Sequence, residues 1–396
     1  MSFAELWAGL LPIGRDPGSG GYLRYSWSTV DASLRGWFAA EAAARGLTVE
    51  TDGNGNLWAW WGDPAAGNAV VTGSHFDSVP HGGAYDGPLG IASAFLALDE
   101  LRANGVPPDR PLGIVAFVEE EGSRFGVACL GSKLLTGTLD PATALALRDR
   151  DGVTLAEAMD DAGADPSLVG PDPERLSRVG ALVELHIEQG RGLTAPVGVA
   201  SAIWPHGRWR IDVTGEANHA GTTRMADRRD PMLTFAFAVL AANKEARLQG
   251  AHATVGRVRV EPNATNAVPA RVQGWLDARA ADEETLDKVV DAIGRRATER
   301  ADRDGTTVAI VPESTSGAVE FDAALRDRIA ALLDAPVLPT GAGHDAGVLS
   351  AYVPTAMLFV RNPTGVSHSP AEYATDDDCV AGVAALTRVL RELAWV

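Results

Sequence analysis

The fold is decided by residues 69–90, which read AVVTGSHFDSVPHGGAYDGPLG. The apolar run at residues 69–72 predicts a buried strand that ends in a loop, and residues 90–103 predict the helix that follows it. A second apolar run at residues 113–118 predicts the next strand. Strands that alternate with helices of this length indicate a mainly parallel sheet with helices on both faces, which is an α/β fold.

The same alternation continues toward the N-terminus. Residues 28–45 predict an amphipathic helix, because their apolar side chains recur at helical spacing. Residues 48–50 and 57–61 predict two short strands on either side of the turn Asp52-Gly53-Asn54-Gly55. These elements extend the α/β pattern over the first part of the chain.

A different pattern begins near Trp209. Its predicted elements are strands at 210–214, 254–260, 272–278 and 307–311 and helices at 231–247 and 282–300. The resulting order β-α-β-β-α-β is the ferredoxin-like arrangement. Because residues 321–333 resume the first pattern, we predict a discontinuous α/β domain, residues 1–207 and 322–396, that is interrupted by an inserted domain, residues 208–321.

Length and charge set the broad class of protein. A chain of 396 residues suggests two domains, at about 150 residues per domain. The 34 basic and 52 acidic residues give a formal charge of −18, which repels phosphate backbones and argues against a nucleic-acid partner. With only two cysteines, no apolar run of about 20 residues and no signal-like start, we expect a cytoplasmic protein that binds no membrane.

Histidine and acidic residues concentrate in five segments, which lie mainly where predicted strands end. The segments are residues 73–78, 82–87, 119–122, 184–190 and 365–369. Taken singly, a histidine beside a strand is usually a core polar group, and a run of glutamates is usually a solvated helix start. Together they offer imidazoles and carboxylates at the edge where open α/β sheets bind ligands, and this donor set suits Zn²⁺. The glutamate run also leaves a carboxylate free to activate water.

These motifs together resemble the M20-type metallo-amidohydrolases. The branch they resemble most contains N-carbamoyl-L-amino acid hydrolases, allantoate amidohydrolases and β-ureidopropionase-like enzymes. The motifs are GSHFDSV at 73–79, GGAYDGPLG at 82–90, EEEGSRF at 119–125, ELHIEQG at 184–190, NHAGTT at 218–223, NAVP at 266–269, GAGHD at 341–345 and SHSPAE at 367–372. The resemblance runs from about Arg24 to Leu393 and keeps the family order. It implies a dinuclear-metal catalytic domain and an inserted dimerisation or lid domain.

The resemblance implies two divalent metal ions per subunit, with Zn²⁺ favoured and Mn²⁺, Co²⁺ or Ni²⁺ as alternatives. The implied ligands are His75 and His186 for one ion, Glu121 and His368 for the other, and Asp86 as the bridge. Asp77 is expected to orient His75 by accepting a hydrogen bond from its other ring nitrogen.

Catalytic and substrate-binding roles follow from the same resemblance. Glu120 is the expected general base, with Glu119 or Glu121 as the alternative. His219 is the expected oxyanion donor. The expected substrate contacts are Gln189, His219, Asn266, Arg279, Gly343 and His344. Arg279 suits a substrate carboxylate, although an ion pair with Asp277 or Asp282 would also account for it.

The implied reaction is hydrolysis of the linear C–N bond of an N-carbamoyl-L-amino acid or of allantoate. It releases ammonia, and carbon dioxide as well in the carbamoyl case. The alternatives are an N-formyl- or N-acyl-L-amino acid hydrolase, a peptidase or aminoacylase of the wider family, and a binding protein that has lost catalysis. We expect a small-molecule ureido or acyl amino acid substrate and a homodimer through the inserted domain, with His219 reaching the partner's metal site.

The sequence departs from the common pattern of the branch in one place. Arg224 follows the NHAGTT motif where the branch usually has proline, and Arg228 and Arg229 follow soon after. This basic cluster is either a surface feature or a means of binding a substrate with more than one carboxylate.

Overall fold

The chain forms two compact units in a computed structural model that describes residues 1–103 and 105–395. The first unit begins at Met1, continues to Ala202 and resumes at Glu320. The second unit is Ile203–Val319. Each unit has a sheet and a hydrophobic core of its own.

The first unit is built on a nine-stranded sheet. Its strands are β1 (Thr48–Thr51), β2 (Leu57–Trp61), β3 (Ala69–His75), β4 (Leu112–Phe117), β5 (Val179–Ile187), β6 (Val197–Ile203), β13 (Val319–Glu320), β14 (Val337–Thr340) and β15 (Thr355–Val360). They lie in the order β1-β2-β4-β3-β5-β15-β6-β13, and β14 pairs with β6. The central strands β4, β3, β5 and β15 are parallel to one another, while β1, β2 and β6 run antiparallel to their neighbours. The predicted α/β fold with a mainly parallel sheet is confirmed.

Helices cover both faces of this sheet. They are α1 (Phe3–Leu10), α2 (Thr29–Ala44), α3 (Pro88–Arg102), α4 (Leu130–Thr136), α5 (Pro141–Leu145), α6 (Leu155–Asp161), α7 (Pro173–Arg178), α10 (Ala323–Leu333), α11 (Asp345–Leu349) and α12 (Asp376–Ala394), with 3₁₀ turns at Pro64–Ala66 and Pro166–Leu168. Side chains of a strand alternate between faces, so Val70 packs in the core cluster that includes residues of α3 and α12. Its neighbour Val71 packs in the opposite cluster with Leu135 and Leu349.

The second unit has a four-stranded antiparallel sheet in the order β12-β7-β11-β9. Its elements are β7 (His206–Thr214), β8 (Asn218–His219), a 3₁₀ turn (Met225–Asp227), α8 (Pro231–Gln249), β9 (His252–Glu261), β10 (Ala267–Val268), β11 (Arg271–Arg279), α9 (Glu283–Asp304) and β12 (Thr307–Ser316). Helix α9 extends four residues beyond its predicted end, because Gly305 caps it in the left-handed region with φ +63°. The short pair β8–β10 was not predicted. Among the described residues, no helix is both long and apolar enough to cross a lipid bilayer.

Helix α3 lies very close to the sheet at Gly90. A Cβ atom at this position would lie 2.3 Å from the carbonyl oxygen of Leu185 and 2.8 Å from the Cβ of Ser74. Neither neighbour is the end of a flexible side chain, so any side chain here must push the helix away from strands β3 and β5. The absence of a side chain at Gly90 therefore permits this packing.

We expect Gly90→Ala to lower the free energy of unfolding by about 1–3 kcal/mol, the usual cost of overpacking a core. The matched control is Gly36→Ala in α2, where the glycine is exposed and an added Cβ meets nothing within 4 Å. This control should raise stability by about 0.5–1 kcal/mol, because alanine favours the helix. Urea unfolding followed by circular dichroism measures both changes. A Gly90→Ala chain as stable as the unmodified one would contradict the packing argument.

Candidate metal centre and active site

The candidate ligands gather at one edge of the nine-stranded sheet because neighbouring strands are parallel. His75 is the last residue of β3, and His186 lies one residue before the end of β5. The glutamate run begins just beyond β4, which pairs with β3 in parallel. The carboxyl ends of parallel strands meet at the same edge, which is where open α/β sheets bind ligands.

Asp86 enters this edge from the loop between β3 and α3, and its approach depends on the next residue. Gly87 has φ +86°, a conformation that residues with a side chain rarely adopt. A Cβ on Gly87 would lie 2.5 Å from Cε1 of His75. Glycine at this position therefore lets the backbone pass against the imidazole, and Pro88 then begins helix α3.

The two carboxylate oxygens of Asp86 face different histidines. Oδ1 lies 3.1 Å from Nε2 of His186 and 3.8 Å from Nε2 of His75. Oδ2 lies 3.4 Å from Nε2 of His368, and that nitrogen is 3.5 Å from Oε1 of Glu121. The donors thus form two compact groups, one with His75 and His186 and one with Glu121 and His368, and both groups contain Asp86.

The donor atoms fit divalent metal ions. Nε2 of His75, Nε2 of His186 and Oε1 of Glu121 are buried and make no hydrogen bond among the described residues. Nδ1 of His75 faces the carbonyl oxygen of Asp77 at 3.0 Å, and Nδ1 of His186 faces that of Ile187 at 2.8 Å. A neutral imidazole with its proton on Nδ1 keeps the Nε2 lone pair free, which is the form that binds metal.

Electrostatics keep the Asp86 carboxylate charged although it is buried. Burial alone would raise its pKa, but the contact with His186 and the nearby imidazoles of His75 and His368 lower the pKa well below its ordinary value. For Glu121 the balance is reversed, because burial and the charge of Asp86 raise its pKa well above the ordinary range. A bound cation would favour the charged form of Glu121, so the ionisation of this carboxyl group is coupled to cation binding.

A third group of potential donors lies behind the first and consists of Glu184, His186 and His344. The oxygens of Glu184 already accept hydrogen bonds from the Ser74 hydroxyl at 2.9 Å and the Ala346 amide at 3.0 Å. His344 is buried with its ring centroid 4.5 Å from that of His186. Burial, with a further contribution from His186, lowers the pKa of His344 well below its ordinary value, so the imidazole is neutral.

The three glutamates after β4 have different partners, and the first of them, Glu119, has φ +55°. The Glu119 carboxylate accepts hydrogen bonds from the amides of Arg124 and Phe125, at 2.7 and 2.8 Å. Oε2 of Glu120 lies 3.8 Å from Nε2 of His75, on the metal-ligand side. Burial, reinforced by the charge of Glu121, raises the pKa of Glu120 well above its ordinary value.

Asp77 contacts His75 through a different atom from the one expected. The main-chain carbonyl of Asp77 faces Nδ1 of His75, while the nearer carboxylate oxygen is 3.6 Å away. The carboxylate instead accepts hydrogen bonds from the amides of Glu120 and Glu121, each at 3.0 Å. Asp77 therefore connects the end of β3 to the glutamate run.

Two expected substrate contacts flank this centre. The Gln189 amide donates to Oδ2 of Asp86 at 2.8 Å and lies 3.4 Å from Nε2 of His368. Gly343 is exposed and directly precedes His344. One group without a sequence-based role also lies here, the Cys129 thiol, which is 3.6 Å from Oε1 of Glu120.

The second unit brings His219 and Asn266 together. His219 pairs with Ala267 across β8 and β10, and the Ala220 amide donates to the Asn266 carbonyl at 3.0 Å. Both side chains are exposed. Nδ1 of His219 accepts hydrogen bonds from the amides of Gly221 and Thr222, at 3.0 and 3.1 Å. A neutral His219 therefore carries its proton on Nε2, which is then a hydrogen-bond donor.

Arg279 lies in the four-stranded sheet, at the end of β11 that is far from the β8–β10 pair containing His219. It is the last residue of β11, whose first residue, Arg271, follows β10 closely. A strand of this length separates its ends by about 26 Å. Arg279 donates two hydrogen bonds to the Asp277 carboxylate, at 2.8 and 3.2 Å, so the ion pair considered as an alternative is present.

The basic cluster near His219 divides into two parts. The side chain of Arg224 is 84% exposed and pairs with Asp227 at 2.8 Å, so it lies on the surface of the unit. The Arg228 guanidinium donates to the carbonyls of Ala220 and Thr223 at 2.6 and 3.1 Å. Arg228 thereby closes the loop that carries His219.

Comparisons with known proteins agree with this architecture. Residues 71–392 match Peptidase family M20/M25/M40. An N-carbamoyl-L-amino acid amidohydrolase of Geobacillus stearothermophilus is 37% identical over 98% of this chain and 98% of its own length. An allantoate amidohydrolase of Bacillus subtilis is 33% identical over 94% of this chain and 92% of its own. The crystal structure of an amidase of the hydantoinase/carbamoylase family from Burkholderia vietnamiensis superposes with a TM-score of 0.88 at 31% identity, covering 100% of this chain and 98% of that one.

The family match covers most of the chain, and the relatives span nearly its whole length. The resemblance expected from the sequence motifs is therefore confirmed. The chain belongs to Peptidase family M20/M25/M40, and within it to the branch of amidohydrolases that act on carbon–nitrogen bonds other than peptide bonds.

Proposed function

We propose that this amidohydrolase hydrolyses the linear C–N bond of an N-carbamoyl-L-amino acid or of allantoate, with release of ammonia. The observation that carries the proposal is the Asp86 carboxylate, whose two oxygens face separate histidines. A carboxylate shared in this way suits a pair of metal ions. The names of the relatives from Geobacillus and Bacillus support these two substrate classes.

In the proposed site, His75 and His186 would hold one ion, Glu121 and His368 would hold the other, and Asp86 would contribute to both. The mixture of imidazole and carboxylate donors favours Zn²⁺, and it also suits Mn²⁺, Co²⁺ or Ni²⁺. When bound, such ions polarise the scissile carbonyl and lower the pKa of a water molecule.

Glu120 is the proposed proton carrier. It accepts a proton from the attacking water and then donates that proton to the departing nitrogen, so one carboxylate serves both steps. Its position supports this role, because Glu120 faces His75 while the Glu119 carboxylate is occupied by two amides.

His219 is the proposed donor to the oxyanion that forms on the substrate carbonyl. The amides of Gly221 and Thr222 support this role because they leave the proton on Nε2. Asn266, adjacent to it, is the proposed partner for another polar atom of the substrate. Arg279 is the proposed partner of the substrate carboxylate, and Gln189 and His344 are proposed contacts at the metal edge.

We further propose a homodimer through the second unit, with His219 completing the site of the partner subunit. Exposed leucines on α8 support an interface there, since Leu233, Leu240 and Leu248 follow one another at intervals of about two helical turns. They are 46%, 69% and 64% exposed. The positions of His219 and Arg279 also support it. Two residues this far apart in one unit can serve one substrate more easily when they come from two chains.

The proposal includes a cytoplasmic location. Cys129 and Cys379 are both buried free thiols, and a reducing compartment preserves that state. The test is fractionation of the native host cells with detection of the chain by antibody.

Removal of metal should abolish activity. Ammonia release is measured on a panel of N-carbamoyl-L-amino acids, allantoate, and N-formyl and N-acetyl amino acids, before and after exhaustive chelation. We expect release from carbamoyl amino acids or allantoate, its loss on chelation, and its return on addition of Zn²⁺ or Mn²⁺. An enzyme that is fully active and free of metal by elemental analysis would overturn the metal site, and activity confined to formyl or acetyl substrates would overturn the substrate class.

Glu120→Gln should lower turnover by about 10²–10⁴-fold with unchanged metal content, because it removes a proton carrier and no ligand. Asp86→Ala should instead lose metal. The matched control is Glu119→Gln, whose amide oxygen can still accept from Arg124 and Phe125, and which should stay within a few-fold of normal turnover. Near-normal turnover of Glu120→Gln would show that the base is another group.

Mixing two inactive variants tests whether the site is shared. Glu120→Ala and His219→Ala chains are combined under conditions that exchange subunits, so half of the dimers are mixed. If His219 acts on the partner's site, each mixed dimer has one intact site, and about a quarter of normal activity should return. A mixture of Glu120→Ala with Asp86→Ala is the control, since both lesions lie in one unit and nothing should return. An inactive first mixture after proven exchange would place His219 in the site of its own chain.

A further inference from the structure

Glu372 contacts the loop that carries Asp86, although the two residues are 286 positions apart in the chain. Its side chain is buried, and Oε1 accepts hydrogen bonds from the amides of Tyr85 at 2.9 Å and Asp86 at 3.0 Å. Glu372 is the last residue of the SHSPAE motif, and no role was assigned to it from the sequence.

Packing around Gly83 keeps the Glu372 carboxylate in this position. A Cβ on Gly83 would lie 2.3 Å from Oε1 of Glu372 and 2.5 Å from its Cβ. On the other side of the loop, Gly87 is in similarly close contact with the imidazole of His75. The Asp86 backbone therefore lies between a carboxylate that binds its amide and an imidazole that limits its approach.

The segment that supplies Glu372 also supplies His368. The same segment includes Ser367, whose hydroxyl lies 3.4 Å from Oδ2 of Asp86 and 3.4 Å from Oε2 of Glu372. One short segment thus provides a candidate ligand and the acceptor for the backbone of the bridging residue. The backbone of Asp86 sets the direction of the Asp86 side chain. The position of Glu372, which binds this backbone, therefore affects where the two carboxylate oxygens of Asp86 point.

We propose that Glu372 is a positioning residue, which fixes the Asp86 loop so that one carboxylate oxygen faces His75 and His186 and the other faces His368. The inference rests on the proposed function, because it gives Asp86 the bridging role. An acceptor is required here since the buried Asp86 amide and the partly buried Tyr85 amide would otherwise lose this partner, at a substantial cost. Its negative charge is not required, because a glutamine oxygen can accept the same two hydrogen bonds.

Four variants separate this role from general stability. Glu372→Ala removes the acceptor, Glu372→Gln keeps it, and Gly83→Ala displaces it without changing Glu372. The control is Asp52→Ala, which also removes a buried carboxylate that accepts from two backbone amides, those of Asn54 and Asn56. This carboxylate accepts from two side chains as well, and it belongs to neither group of candidate ligands.

Two measurements are made on each folded variant. Hydrogen exchange of the Tyr85 and Asp86 amides in the metal-free chain reports the loop, and competition with a chromophoric chelator reports Zn²⁺ affinity. We expect Glu372→Ala and Gly83→Ala to speed exchange at least tenfold and to lower Zn²⁺ affinity about 10–100-fold. Glu372→Gln should stay close to the unmodified chain. Asp52→Ala should unfold at lower urea concentration with unchanged Zn²⁺ affinity.

The outcomes distinguish this inference from the proposed function. An unmodified chain that takes up no divalent ion overturns the proposed function. A metal-binding chain whose Glu372→Ala variant keeps both normal exchange and normal affinity overturns the role of Glu372 alone. Equal loss of Zn²⁺ affinity in Asp52→Ala and Glu372→Ala also overturns it, because the effect would then come from stability.

Discussion

The site depends on keeping one carboxylate charged although it is buried from solvent. Asp86 is 4% exposed, and removing a charge from water is unfavourable unless partners replace the lost solvation. Here three imidazoles and the Gln189 amide surround its two oxygens. The strands, the loop glycines and the C-terminal segment each bring one of these groups to the same edge, so the local fold can be understood as a means of surrounding this carboxylate.

The same requirement explains why glycine recurs around the site. Gly83 and Gly87 flank Asp86. An added Cβ on Gly83 would meet Glu372, which binds the Asp86 amide, and one on Gly87 would meet His75, which faces the Asp86 carboxylate. Gly90 lets the following helix lie against β3 and β5, which end in the histidine ligands. Glycine at each of these three positions permits close packing, because an added Cβ would overlap with the neighbouring atoms.

Much of the fold could be predicted because its signals are local. The strand predicted at residues 69–72 and the helix predicted at 90–103 rest on local apolar patterns, and the structure has them as Ala69–His75 and Pro88–Arg102. The predicted parallel sheet follows from their alternation. Contacts between distant segments had no such signal. The hydrogen bond that the Asp86 amide donates to Glu372 joins residues separated by most of the chain. The left-handed backbone conformation of Glu119 is likewise not encoded in residue spacing. The pairing of Arg279 with Asp277 was foreseeable, since residues two apart share a face of a strand.

The position of β15 in the sheet has a consequence for synthesis of the chain on the ribosome. This strand comes from residues 355–360, near the C-terminus, yet it lies between β5 and β6, which are made much earlier. Until it emerges, both of those strands have an open edge, and open edges invite pairing with other chains. Synthesis of residues 355–368 therefore both closes the sheet and delivers His368. A nascent chain that stalls before this point exposes a surface for chaperones and has an incomplete set of ligands.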